Sequence, residues 1–164
     1  MFSRFYPDEY RISSYVIPYQ ELYEKGYRGI IFDIDNTLVP HDAPADKRAI
    51  ELFEKLKEIG FSSCLLSNNR AHRVKSFNEN IHTNYIYDAD KPSTKNYKKA
   101  MTLMGTDTTN TLFVGDQLFT DTWGAKRTGI HCILVKPIHP DEKMQIVLKR
   151  YLEKIVLFFY RRRR

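Results

Sequence analysis

The sequence has little cysteine and no long apolar run. Of its 164 residues two are cysteine, and Cys64 and Cys132 each lie inside a largely apolar stretch. Because there is no CxxC pair or Cys/His cluster, a structural zinc site is not expected, and buried free thiols indicate a reducing compartment. No segment approaches the ~18 apolar residues of a membrane span. The opening MFSRFYPDEY also lacks the apolar region of a secretory signal, so the sequence predicts a cytoplasmic protein.

The excess of positive over negative charge is concentrated at the C-terminus. The chain has 26 Lys and Arg against 20 Asp and Glu, a net charge of +6, but four of the cations are the arginines at 161–164. The remainder is nearly neutral and has no basic stripe with interleaved aromatic residues, which argues against a nucleic-acid partner. The hydrophobic content of 42 % suits a globular chain of this length with one core, so we expect a single domain over residues 1–164.

Short apolar runs alternate with helical patterns along most of the chain. Strands are predicted at residues 28–32, 61–66, 85–87, 111–114 and 130–135. Helices are predicted at residues 44–59, 70–78, 93–104, 118–127 and from 141 onward. This alternation predicts an α/β, three-layer, Rossmann-like domain with a mostly parallel five-stranded sheet. Ligands of such sheets bind beyond the carboxyl ends of the strands.

Polar residues stand at the carboxyl ends of four predicted strands. The first strand leads into Asp33 and Asp35, which repel each other and would be costly to bury without a cation or a shared proton. By itself this pair is equally compatible with a loop that begins with an Asp-Asn-Thr turn. The next three strands lead into further polar residues, namely Ser67, Asn68, Asn69, Asp90, Lys91, Asp116 and Asp121.

Together these residues suit phosphoryl transfer. A carboxylate can act as the nucleophile and form an aspartyl-phosphate. Mg²⁺ prefers carboxylate and carbonyl oxygens and would reduce the repulsion among the acids. Ser67 and Lys91 would bind the phosphoryl oxygens as a hydrogen-bond donor and a positive charge.

Four segments, DIDNT, LLSNN, the lysine of DKPS and GDQLFTD, resemble in order the motifs of the haloacid dehalogenase (HAD) superfamily of phosphohydrolases. The resemblance covers about residues 29–137. It implies that Asp33 is the nucleophile and Asp35 the general acid. It also implies phosphate binding by Thr37, Ser67, Asn68 and Lys91. Mg²⁺ would be held by Asp33, the backbone carbonyl of Asp35, and Asp116, with Asp121 as the second acid of the last motif.

Motif spacing leaves no room for a cap domain of the kind that many members of this superfamily carry. Asp33 and Ser67 are 34 positions apart, and Ser67 and Lys91 are 24 apart, which one helix and one strand would fill in each case. The stretches FYPDEY, GYRGIIFDIDNTLVPHD and VGDQLFTD resemble the capless, class III, YqeG-type branch, which is related to phosphatidylglycerophosphate phosphatases. That resemblance implies release of phosphate from phosphatidylglycerophosphate to give phosphatidylglycerol.

The C-terminal segment 141–164 is predicted to be an amphipathic helix with a basic tail. Its apolar residues follow helical spacing and are expected to pack on the sheet; they are Met144, Val147, Leu148, Tyr151, Leu152 and Ile155. The ending IVLFFYRRRR joins aromatic residues to a cationic cluster, which suits peripheral contact with an anionic membrane. A solvated tail is the alternative.

The sequence is compatible with three other functions. The chain could dephosphorylate a small soluble metabolite or a polynucleotide end, although the nearly neutral body disfavours the second. It could instead be a non-catalytic adaptor at a membrane or ribosome. The complete set of acids speaks against an adaptor.

Overall fold

All the strands belong to one parallel sheet. The computed structural model describes residues 2–139 and 144–162, and the side chains of residues 144–148 lie outside this description. The sheet order is β1-β6-β5-β2-β3-β4. The strands are β1 (Glu9–Arg11), β2 (Gly29–Phe32), β3 (Ser62–Leu66), β4 (Asn84–Ile86), β5 (Thr111–Gly115) and β6 (His131–Val135).

Helices connect successive strands, as a parallel sheet requires. They are α1 (Tyr19–Glu24), α2 (Lys47–Ile59), α3 (Ala71–Asn78), α4 (Lys95–Met104), α5 (Trp123–Thr128) and α6 (Met144–Arg161), with a π-helical turn (Leu118–Thr122) before α5. Local sequence explains the bounds of α2. The side chain of Asp46 accepts a hydrogen bond from the N–H of Ala49 at its start, and Gly60 ends it with a φ of 117°.

Each face of the sheet packs against helices. Alternate residues of β2 point to opposite faces: Ile30 and Phe32 join the side chains of α1, α2 and α3, whereas Ile31 joins those of α4 and α5. All four residues of β2 are buried. A central strand covered on both faces reads as a continuous apolar run, which is why β2 was recognisable from its sequence.

The predicted α/β class and parallel sheet are confirmed, but the prediction of five strands was wrong. The strand that was not predicted is β1, which is short and whose three residues are only half-buried. A polar three-residue strand at the edge of a sheet has no apolar pattern in its sequence. It can be recognised only from its pairing with β6 in the structure. Asp8, just before β1, accepts a hydrogen bond from the N–H of Cys132 in β6 at 2.8 Å, and Glu9 contacts His131 at 3.0 Å.

No cap domain interrupts the motif region, as predicted. Residues 33–91 are all described, and they contain α2 and β3 before Ser67 and then α3 and β4 before Lys91. The edge of the sheet at the carboxyl ends is therefore not covered by an inserted domain within this stretch.

Helix α6 contradicts one prediction. Tyr151, Leu152 and Ile155 were expected to pack on the sheet, yet they are 65 %, 50 % and 50 % exposed. The buried face instead carries Glu153 and Val156, together with Tyr160, whose ring lies 5.0 Å from that of Tyr6. The other predicted stripe residues, Met144, Val147 and Leu148, and the helix start at 141–143, lie outside the described residues or side chains. None of the described helices is long and apolar enough to cross a membrane.

We predict that Tyr97→Phe lowers the free energy of unfolding by about 1–3 kcal/mol. Tyr97 is fully buried, and its hydroxyl lies 3.1 Å from the carbonyl oxygens of Thr120 and Asp121. The change would leave these buried carbonyls without that donor. Urea denaturation measures the loss, and Tyr87→Phe is the control, since Tyr87 is 40 % exposed. Equal stability of the two variants would contradict the prediction.

Candidate active site

Three carboxylates from distant parts of the chain meet beyond the ends of β2 and β5. Asp33 follows β2, Asp116 follows β5, and Asp121 lies in the π-helical turn. Ligand oxygens of the three residues lie within 4.8 Å of one another, and their residues are 8 %, 2 % and 1 % exposed. The parallel register of β2 and β5 makes this possible, because both strands end at the same edge.

The ammonium group of Lys91 lies between two of these acids. Its Nζ donates to Asp33 Oδ1 and to Asp121 Oδ1, both at 2.7 Å, and the residue is buried. Burial alone lowers the pKa of Lys91, but the charges of Asp121 and Asp33 outweigh it and hold the pKa above its ordinary value. Lys91 therefore carries a fixed positive charge against the predicted nucleophile.

One ammonium does not balance three buried acids. Burial raises the pKa of Asp33 well above its ordinary value, Lys91 opposes that rise, and Asp121 and Asp116 add to it. Burial likewise raises the pKa of Asp116 to about 6, against the lowering effect of Arg150. The site stores electrostatic repulsion that a further cation would relieve.

Asp121 also organises the loop that carries Asp116. Its Oδ2 accepts hydrogen bonds from the backbone N–H groups of Asp116 at 3.1 Å and Gln117 at 3.0 Å. This close approach needs a glycine at position 115, because a Cβ there would lie 2.5 Å from Asp121 Oδ2. The predicted metal ligand thus has both oxygens occupied by Lys91 and by backbone donors.

The predicted phosphate-binding residues surround this cluster in different ways. Thr37 Oγ1 lies 3.1 Å from Asp116 Oδ1 and 3.4 Å from Asp33 Oδ2, so its hydroxyl positions the acids. Ser67 is buried and accepts a hydrogen bond from the N–H of Asn69 at 3.1 Å. Asn68 binds the backbone of Lys91 through both ends of its amide, at 2.8 and 3.2 Å. Phosphate contact by these three residues stays a prediction.

The side chain of Asp35 stands apart from the three-carboxylate cluster. It accepts hydrogen bonds from Arg73 Nη2 at 2.9 Å, from the N–H of Asp42 at 2.8 Å and from the side-chain amide of Asn69. Sequence reasoning missed Arg73 and Asn69 as partners of Asp35, although Asn69 belongs to the LLSNN segment. Among the described residues, the buried Nε of Arg73 has no hydrogen-bond partner.

Helix α6 contributes two charged residues to the site that no sequence motif indicated. Arg150 Nη1 donates to the backbone carbonyl of Asp116 at 2.6 Å, and its Nη2 donates to Asp116 Oδ2. Glu153 accepts from the N–H of Leu118 at 2.9 Å and pairs with Arg150 at 3.1 Å. These contacts explain why two charged residues lie on the buried face of α6, beside Val156 and Tyr160.

The N-terminal segment supports the loop after β2. Ser14 Oγ donates to the carbonyl of Thr37 at 2.8 Å, and the Tyr15 hydroxyl donates to the carbonyl of Leu38 at 2.6 Å. Tyr19 is buried and donates to the carbonyl of Ser14 at 2.6 Å. Two of the N-terminal tyrosines therefore act in packing and in fixing the loop with Asp33 and Asp35.

The residues present fit a hard divalent cation. The donor set consists of carboxylate oxygens, which suit Mg²⁺, and burial, together with the neighbouring acids, raises the pKa values of Asp33 and Asp116. Asp116 Oδ2 is bound by Arg150, so its Oδ1, beside Thr37, faces the cluster. A parallel α/β sheet without a cap, with this acid–lysine site at its carboxyl edge, is typical of HAD-type hydrolases.

Comparison with known proteins agrees with this class. The HAD-hydrolase-like family model matches residues 89–137. The protein named Probable phosphatase YqeG of Bacillus subtilis (strain 168) is 38 % identical over 160 residues, 97 % of this chain and 93 % of that protein. The chain therefore belongs to the YqeG family of HAD-type phosphatases.

Solved structures show the same fold. An uncharacterized protein from Listeria monocytogenes serotype 4b aligns with a TM-score of 0.57 at 23 % identity, covering 71 % of this chain and 84 % of that one. A HAD-superfamily hydrolase from Ehrlichia chaffeensis aligns with a TM-score of 0.56 at 17 % identity, covering 78 % and 97 %.

We predict that Mg²⁺ raises the melting temperature strongly at pH 7.5 and much less at pH 5. A carboxyl group with a raised pKa in the folded state is destabilising once ionised, so the metal-free protein loses stability as pH rises from ~4 through about 6. Mg²⁺ binds the ionised acids, and at 100 times its dissociation constant it would add about 2.7 kcal/mol. Thermal melts with Mg²⁺ or EDTA across this pH range test the effect. A stabilisation that is independent of pH would contradict it.

Proposed function

We propose that this protein is a Mg²⁺-dependent phosphomonoesterase that works through an aspartyl-phosphate on Asp33. The observation that carries the proposal is the contact between Lys91 and Asp33 at 2.7 Å, beside Asp116 and Asp121. A buried ammonium at the nucleophile would neutralise a transferring phosphoryl group without blocking attack by the second carboxylate oxygen. The family membership supports the same reaction class.

The chemistry divides into two displacements. An oxygen of Asp33 attacks phosphorus, the bond to the leaving oxygen breaks, and Asp35 supplies the proton to that oxygen. Asp35, now ionised, then takes a proton from the water that hydrolyses the acyl phosphate, which restores Asp33. Asp33, the backbone carbonyl of Asp35, and Asp116 would hold Mg²⁺, which when bound supplies charge neutralisation for the phosphoryl oxygens.

Asp35 must change partners to do this. Its carboxylate is engaged by Arg73, Asn69 and the N–H of Asp42. To protonate a leaving group it must carry a proton and exchange one of these donors for the leaving oxygen. This exchange would couple substrate binding to readiness for proton transfer.

The substrate we propose is phosphatidylglycerophosphate. The resemblance to lipid-phosphate phosphatases suggests it, and two features of the chain support a substrate held at a membrane. The site has no cap in residues 33–91, so a phosphate at a bilayer surface has access. Helix α6 also exposes an apolar face beside the terminal arginines; its residues are Tyr151, Leu152, Ile155, Phe158 and Phe159. We call these five residues the apolar face of α6.

Other substrates and a non-catalytic role make different predictions. A small-metabolite phosphatase would not need the apolar face of α6, and a polynucleotide phosphatase would need a basic track along the nearly neutral body. An adaptor would release no phosphate from any compound. Assays with the lipid phosphate, sugar phosphates and a 3′-phosphorylated oligonucleotide separate these functions.

We predict that Asp33→Asn abolishes phosphate release from an aryl phosphate, because an amide is a very poor nucleophile of nearly the same shape. The loss should be at least a thousandfold in kcat with the melting temperature close to that of the unaltered protein. Asp107→Asn, at an exposed acid on the opposite edge of the sheet, is the matched control. Substantial turnover by folded Asp33→Asn protein would exclude the aspartyl-phosphate.

We predict that the apolar face of α6 and the basic tail bind anionic vesicles. Replacing the arginines at 162–164 by serine should weaken binding about a hundredfold at low salt, since each basic residue contributes about 1 kcal/mol near an anionic surface. The loss should shrink at high salt, where the charges are screened. Replacing Leu152 and Ile155 by serine should weaken binding at both salt concentrations.

Vesicle co-sedimentation measures both effects. The control is Leu103→Ser on α4, because Leu103 is also an exposed leucine, at 47 %. If all three variants and the unaltered protein bind anionic and neutral vesicles alike, the C-terminus is a solvated end.

A further inference from the structure

A groove of about 840 Å³ lies between α6 and the end of β6. Apolar side chains form most of its wall: Leu134 and Val135 of β6, Ile138 just after it, and Leu157 and Phe158 of α6. Its volume is in the range of sites that hold a drug-sized ligand. The phosphoryl chemistry at Asp33 does not use any of these side chains.

The inner end of this groove borders the acidic site at Asp116. Asp116 and Arg150 line it, and Asp116 is the residue whose Oδ1 lies 3.1 Å from Thr37 Oγ1 within the carboxylate cluster. Ile138 is tied to the same site from the other side, because its N–H donates to the carbonyl of Asn36 at 3.0 Å. The groove is therefore continuous with the loops that hold the catalytic acids.

The charges of the groove point to an anionic occupant. Its two acids are both engaged by Arg150, at Asp116 and at Glu153. Three further cations line it, namely Lys136, Lys154 and Arg161, and all three are exposed. Lys154 and Arg161 lie against the rings of Tyr151 and Tyr10, at 5.3 and 5.4 Å, and none of the three forms an ion pair with a described residue.

We infer that this groove binds the apolar part of an amphiphilic phosphomonoester whose phosphate lies at Asp33. A second negative charge of the same compound would lie at the rim of the groove, near Lys136, Lys154 and Arg161. The inference rests on the phosphatase activity proposed above and adds to it the residues that hold the apolar part of the substrate. Tyr151 and Phe158 belong to both the groove and the apolar face of α6. A lipid can thus enter the groove from the surface that we propose contacts the membrane.

The test uses water-soluble substrates, so that membrane binding plays no part. They are dihexanoyl phosphatidylglycerophosphate below its critical micelle concentration and its deacylated head group. We expect kcat/KM to be at least tenfold higher for the acylated compound. Leu157→Gln and Ile138→Ser should each reduce this ratio several-fold, chiefly through KM. Leu103→Gln, at an exposed leucine of α4 outside the groove, should keep the ratio.

Binding gives a second measurement that does not need turnover. Calorimetry with the Asp33→Asn protein should give a dissociation constant at least tenfold lower for the acylated compound than for its head group. Lys154→Gln should weaken binding of both compounds to a similar degree, because both carry the second phosphate. Melting curves identify any variant that fails to fold. If one of the two groove variants does not fold, the other one supplies the test.

Three outcomes would overturn the inference. A kcat/KM ratio near one, with phosphate released from both compounds, would contradict lipid binding in the groove and leave the proposed phosphatase activity intact. Equal dissociation constants for the two compounds would also contradict lipid binding in the groove, even if no turnover were seen. Absence of turnover alone would count against the phosphatase activity and not against the groove. A protein that is dimeric at assay concentration and becomes monomeric with Leu157→Gln would make the groove a contact between two copies of the chain.

Discussion

Much of this structure is arranged around one buried ammonium group. Lys91 Nζ lies 2.7 Å from an oxygen of Asp33 and 2.7 Å from an oxygen of Asp121, and all three residues are buried. Burying a charge is costly unless it is paired and hydrogen-bonded, so each partner must be held in place by the surrounding fold. Asn68 holds the backbone of Lys91, and β2 delivers Asp33. Asp121 reaches the ammonium because position 115 has no side chain.

The same constraint explains the incomplete charge balance of the site. Lys91 and Arg150 offset part of the negative charge of three buried carboxylates, yet burial and the neighbouring acids still raise the pKa values of Asp33 and Asp116. A protein that needed only stability would gain by replacing such a cluster with apolar side chains. Strongly perturbed acids in a cleft are characteristic of catalytic sites. The family membership and the acid–lysine geometry are consistent with this reading.

Helix α6 connects the chemistry to the surface. Its inward residues, Arg150 and Glu153, bind the loop of Asp116, whereas its outward residues are apolar and exposed. The buried face of the helix thus combines these two charged residues with Val156 and Tyr160. The arrangement places the exposed apolar face of α6 on the opposite side of the helix from Arg150 and Glu153. A phosphatase for a membrane substrate would benefit from this arrangement, because binding and positioning would involve one element.

The sequence by itself determined the fold class, the positions of strands β2 to β6 and the identity of the acids. These features are local: a buried parallel strand must be apolar, as 30–32 are, and the motif acids follow such strands directly. Four motifs in order also sufficed to recognise the superfamily and the absence of a cap. Tertiary structure alone decided β1, which is visible only through its pairing with β6. It also decided the direction in which α6 faces and the role of Arg150, 34 positions from Asp116 along the chain. Helical spacing predicts that one face is apolar, but which face turns inward depends on the partners that the fold brings to it.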